Sequence, residues 1–195
     1  MTSSLVGSEM CIRDSNNAYG VQGIYSAPGK AVKEAYDSSG VVTNDRGITV
    51  WLKGNRVSRN QIMAIKEESV TDQKNSLTVC LDNILRHAGI TRNTEYDLAQ
   101  GKTAIQILEE NMTGVQVLDL SGCSLDAVLY YVNQDIPVLA ILEDGEAVLV
   151  TGFNEFNVVI MEPSTGKLYK KGMNDATTWF AENGNHFISY MKIEN

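Results

Sequence analysis

The sequence predicts an α+β fold in which helices come first and an antiparallel meander follows and packs against them. An amphipathic run from Ser76 to Gly89, four β-rich runs after residue 135 with hairpin-length connections, and a last helix followed by a closing strand carry the prediction. In chain order, Gly47–Gly54 reads as a strand, with β-branched and aromatic residues closed by glycine. Ser58 then offers an N-cap to a short helix bearing Ile62, Met63 and Ile65. Leu77, Cys80, Leu81, Ile84, Leu85 and Ala88 recur at helical spacing, and Gly89 stands where a helix terminator belongs. A shorter helix lies within Gly101–Thr113, with Ala104, Ile105, Ile107 and Leu108 inward, followed by a strand over Val115–Leu120. Ser124 is the N-cap expected for a helix through Leu125, Val128, Leu129 and Val132, with Asp126 in the favourable first turn. Strands are expected over Ile136–Leu142, Ala147–Phe153, Asn157–Met161 and Lys167–Lys170. Asn174 or Asp175 caps the final helix, which carries Ala176, Trp179 and Phe180, and Phe187–Ile193 closes the set.

The first fifteen residues are set apart. Leu5–Ser15 back-translates into a sequence resembling a transposase adapter from sequencing libraries, so residues 1–15 are expected to be a cloning or assembly artefact. Residues 16–45, rich in Ser, Gly and Asn around an Ala-Val-Lys-Glu-Ala-Tyr helix candidate, read as a linker or the end of a truncated upstream region. One compact domain is expected over 46–195.

Charge narrows the function classes. The net charge is −8, and it becomes −7 without the leader, because Glu9, Asp14 and Arg13 together contribute −1. An acidic chain repels phosphate backbones, so nucleic acid is not the expected partner. No apolar run reaches the ~18 residues that cross a bilayer, so no membrane insertion is expected of this domain. Arg46, Lys53, Arg56 and Arg59 form the most basic stretch, either a docking patch for an acidic partner or a solvated rim. Of three cysteines, Cys11 belongs to the leader, and Cys80 and Cys123 stand in no CxxC or Cys/His cluster. Neither a metal nor another cofactor is expected. Cys123 reads as packing. Cys80, near a helix start where unpaired N–H groups favour a thiolate, suits either a nucleophile or a small buried hydrophobe.

Four segments carry a resemblance: Val79-Cys80-Leu81, Pro137-Val-Leu-Ala140, Glu146-Ala-Val-Leu-Val-Thr-Gly-Phe153 and Glu162-Pro-Ser-Thr-Gly166. Over about residues 70 to 193 this order resembles the papain-like fold of the bacteriocin-processing (double-glycine) peptidase group. Ser121 to Tyr190 is similar to surface-associated proteins of gut clostridia. The resemblance implies a central helix bearing Cys80, packed on an antiparallel sheet, with a cleft between them that accepts an extended peptide. In active members a histidine takes the cysteine's proton, an Asp or Asn orients the imidazole, and an upstream Gln holds the oxyanion. Cys80 matches the nucleophile, Glu146 stands at the histidine position, Glu162 at the orienting position, and Gln73 near the oxyanion position, with Asn75 close by.

Glu146 changes the chemistry. A carboxylate with an ordinary pKa of about 4.3 is a weaker base at neutral pH than imidazole at about 6.5. When ionised it also raises a neighbouring thiol pKa by like-charge repulsion, and Glu162 adds to this. His87 lies seven residues along the helix from Cys80, about 10 Å at 1.5 Å per residue. His186 precedes the closing strand with no placement relative to Cys80. The expected function is a catalytically degenerate papain-like domain serving as a peptide- or partner-binding or structural module of a longer bacterial protein. Extracellular or cell-surface location is implied by the resemblance. The alternative is an active cysteine peptidase with Cys80 as nucleophile; a third reading has Cys80, Glu146 and Glu162 hold a metal.

Overall fold

Two antiparallel sheets make up the computed structural model, which describes residues 10–13, 21–54 and 75–193. Gln73 and the helix expected after Ser58, with Arg56 and Arg59, lie outside the described residues. The smaller sheet comprises β1 (Met10–Arg13), β2 (Val21–Tyr25), β3 (Val41–Thr43) and β4 (Thr49–Leu52), ordered β2-β1-β3-β4. Helix α1 (Pro28–Ser38) crosses between β2 and β3, opening on Pro28 and closing on Ser39 at φ 57°.

Helices α2 (Ser76–His87), α3 (Glu95–Ala99) and α4 (Ala104–Asn111) follow, then β5 (Val115–Asp119) and α5 (Leu125–Asn133). The meander β6 (Val138–Ile141), β7 (Ala147–Phe153), β8 (Asn157–Glu162) and β9 (Lys167–Gly172) leads into α6 (Met173–Glu182) and β10 (His186–Lys192). The larger sheet has six strands in the order β5-β10-β6-β7-β8-β9.

All seven residues of β7 are buried. Alternate residues of a strand face opposite sides, so both faces of the sheet are covered here. Helices α2 and α5 each pack on β6 and β7, α4 packs with α2, and α6 packs with α5. A continuous apolar strand such as Ala147–Phe153 signals two covered faces.

Helix α2 forms where its pattern placed it. Asn75 caps it by accepting from the Thr78 N–H at 2.9 Å. Gly89 ends it at φ 83°, and the Ile90 N–H closes on the Leu85 carbonyl at 2.8 Å. Its polar residues are buried too: Asp82 accepts from the Thr94 N–H and hydroxyl, and Asn83 donates to the Val79 carbonyl. These bonds offset the cost of burying polar groups among Val79, Leu81, Ile84 and Leu85.

Within 16–45, read as a linker or the end of a truncated upstream region, the chain forms β2, α1 and β3, and Met10–Arg13 of the leader forms an inner strand of the same sheet. Packing overrides the Ser/Gly/Asn composition. Trp51, 1% exposed, donates from Nε1 to the Ala127 carbonyl at 3.0 Å and lies 6.3 Å from the Tyr36 ring and 6.2 Å from the Tyr130 ring. Tyr36 donates to Asp126 at 2.7 Å, and Cys123 donates from Sγ to the Gly29 carbonyl at 3.3 Å. A Cβ on Gly29 would meet the Ser121 carbonyl at 2.8 Å, so the close approach of α1 requires glycine there. Ser124 caps α5 as expected, accepting from the Ala127 N–H.

Helix α6 starts earlier than the Asn174 or Asp175 cap predicted. Gly172 is the N-cap and makes no side-chain bond, while the Met173 N–H donates to the Phe156 carbonyl at 2.7 Å. Strand β9 therefore runs directly into α6.

Candidate active site around Cys80

Cys80 is the fifth residue of α2 and is fully buried. The Val79 N–H already donates to the Asn75 carbonyl at 3.2 Å, so the intrahelical ladder has begun one residue before Cys80. The unpaired N–H groups that would stabilise a thiolate are the ones preceding it. Burial therefore governs this thiol: desolvation pushes its pKa well above the ordinary value, and Glu162 and then Glu146 push it further.

Glu162 ends β8, and Glu146 immediately precedes the neighbouring strand β7. Leu149 of β7 is opposite Met161 of β8, which sets Val148 beside Glu162 and places Glu146 two residues further along the same face. Glu146 is exposed at the end of the β6–β7 turn; its N–H donates to the Asp144 side chain at 3.0 Å. Glu162 is half-buried and accepts at Oε1 from the Ser164 hydroxyl at 3.0 Å and N–H at 3.3 Å. Both act on Cys80 electrostatically, and both act against its ionisation.

Sequence reasoning missed Ser76. Its hydroxyl accepts from the Ala147 N–H at 2.9 Å, tying the first turn of α2 to the first residue of β7. No local pattern signals a bond to a residue 71 positions away. Asn75, weighed beside Gln73 for the oxyanion position, is committed as the helix cap.

Neither histidine is placed at the sulfur. His87 ends α2, and its Nε2 lies 2.9 Å from the Asp135 carbonyl. A cleft of about 560 Å³ opens there, lined by His87, Met112, Gln134, Tyr190 and Lys192, at the end of α2 away from Cys80. His186 begins β10 opposite Ile141, which is itself opposite Ala147. Two strand spacings separate it by about 10 Å from the start of β7. Its ring folds back over Gly184, where an added Cβ would lie 2.7 Å from Nε2.

The buried thiols make stability fall in alkali. Cys80 is raised well above its ordinary value and Cys123 is pushed up to about 12 by burial, with Asp119 adding. A raised folded pKa gives stability that is complete below the unfolded value, about 8.5 for Cys, and is lost as pH rises toward the folded value. Each thiol withdraws about 1.4 kcal/mol per pH unit in that window. Urea midpoints should be level from pH 7 to 8 and fall between pH 9 and 11. Midpoints level to pH 11 would contradict neutral burial of the two thiols.

No protein-family model matches the chain, and no curated protein matches it. Among solved structures, a putative C39-like peptidase from Bacillus anthracis is similar over 71% of this chain and 100% of its own, at 15% identity and a TM-score of 0.59. A double glycine motif protease from an AMS/PCAT transporter, solved in complex with the leader peptide, is similar over 71% of this chain and 97% of its own, at 12% identity and a TM-score of 0.48. With α2 carrying Cys80 against an antiparallel sheet, the chain has the papain-like fold of the C39-like peptidases.

Proposed function

We propose that this chain is a catalytically silent papain-like domain that binds an extended peptide or protein segment, as one module of a longer bacterial surface or secreted protein. Cys80 carries the reading. Its sulfur is enclosed, its thiol is held protonated by burial, and the neighbouring charges, Glu162 and Glu146, are of the sign that opposes a thiolate. A cysteine nucleophile needs an imidazole or equivalent base within about 3–4 Å. Glu146 occupies the base position and Glu162 the orienting one, with Gln73 as the oxyanion equivalent. At neutral pH two carboxylates cannot return a proton to a leaving amine as an imidazolium does. In the papain-like fold the helix–sheet cleft accepts an extended chain, and binding there needs no base.

A cleavage assay tests the reading. Wild type and Cys80→Ala, incubated with a peptide library containing double-glycine sites, should release the same products at the same background rate by mass spectrometry. Cleavage that wild type performs at least tenfold faster than Cys80→Ala would overturn it in favour of an active peptidase with Cys80 as nucleophile.

A further inference from the structure

Strand β9 ends the larger sheet and, among the described residues, pairs with β8 alone. Alternate residues of an edge strand direct N–H and C=O groups away from the sheet, a ready template for another strand. Three of the six residues of β9 are lysines, Lys167, Lys170 and Lys171, in a chain of net charge −8. Lys171 lies over the Trp179 ring at 5.2 Å, whereas the Lys167 and Lys170 ammonium groups have no hydrogen-bonded or ion-pair partner among the described residues. Two aromatic side chains stay in solvent here: Tyr169 in the middle of β9, 37% exposed, and Phe156, 69% exposed, whose carbonyl holds the Met173 N–H just past the strand's end.

Edge lysines discourage strand pairing between copies, because like charges would face each other. The same lysines favour a strand of opposite charge. The acids nearby sit at the two ends, Glu162 opposite Lys167 and Asp175 beside Gly172, leaving the centre of the strand positive.

We propose that β9 is a docking edge for an extended acidic segment of a partner protein, which adds as a seventh strand with carboxylates on both of its faces, meeting Lys167 on one and Lys170 on the other, and an apolar side chain against Tyr169 or Phe156. This edge meets the Cys80 site only where Lys167 pairs with Glu162, and it does not depend on whether Cys80 is silent.

The test uses the full chain, ¹⁵N-labelled, titrated with an eight-residue peptide of Glu-Glu-Val-Val repeats, which carries carboxylates on both faces of a strand, and with the same peptide carrying Lys for Glu. The Glu peptide should shift β9 amides and slow their hydrogen exchange, with the Lys peptide binding at least tenfold more weakly. Lys167→Glu with Lys170→Glu, checked for an otherwise unchanged amide spectrum, should weaken the Glu peptide at least tenfold. Equal binding of both peptides, or no β9 shift at millimolar Glu peptide, overturns the proposal. So does β9 protection without peptide in a species of dimer mass, which would make a second copy the occupant. Shifts confined to residues around Cys80 and Glu146 also overturn it, while leaving the peptide-binding reading of the cleft standing.

Discussion

Trp51→Ala should destabilise the protein by about 3–5 kcal/mol, the range for truncating a fully buried aromatic. Trp51 is 1% exposed, packs at a tilt between Tyr36 and Tyr130, and donates its indole N–H to the Ala127 carbonyl in α5. Truncation removes the ring that joins the smaller sheet to α5 and leaves the Ala127 carbonyl without that donor. Trp51→Phe, which keeps most of the ring but not the N–H, should cost much less, with about 1 kcal/mol from the hydrogen bond. Urea unfolding followed by circular dichroism measures both. A Trp51→Ala cost below about 1 kcal/mol would mean that the smaller sheet contributes little to the stability of the larger one.

The second large effect is on the Cys80 thiol. Glu162→Gln should lower its pKa and speed iodoacetamide labelling at pH 8, and Glu146→Gln should do so by less, following the order in which the two carboxylates raise it. With both replaced, labelling should quicken more than in either single variant, because below the pKa any depression raises the thiolate fraction. It should still fall short of an activated cysteine, since burial is the larger cause and remains. Unchanged labelling in the double variant would mean that neither carboxylate acts on the sulfur.

The meander and α2 were legible because their signals are local. Leu77 to Ala88 repeats at helical spacing, and the strand runs from Ile136 to Lys170 are separated by hairpin-length turns. The observed α2, Ser76–His87, ends two residues before the Gly89 terminator that predicted it. The smaller sheet was not legible: β2 and β3 lie in Ser/Gly/Asn-rich sequence, and their order depends on Trp51, Gly29 and Cys123 meeting α5 and its approach loop, contacts about 70 to 90 residues apart in the chain. Helix α3 was missed because five residues do not complete a pattern. At the site, Cys80, Glu146 and Glu162 were singled out by resemblance alone. The enclosure of the sulfur matches one of the two readings open for Cys80, that of a small buried hydrophobe. Ser76 was invisible because a Ser at the start of a helix looks like an ordinary first-turn residue.

The most direct test of a silenced Cys80 is its alkylation rate. The full chain would be treated with iodoacetamide from pH 5 to 9, labelling at Cys80 followed by peptide mass spectrometry so that Cys11 and Cys123 are resolved, with Cys80→Ala as control. Slow labelling of Cys80 at every pH up to 9, with no plateau below about pH 8.5, is the predicted result. Fast labelling that persists below about pH 7 would reveal a stabilised thiolate and contradict a site closed by burial and by Glu162 and Glu146.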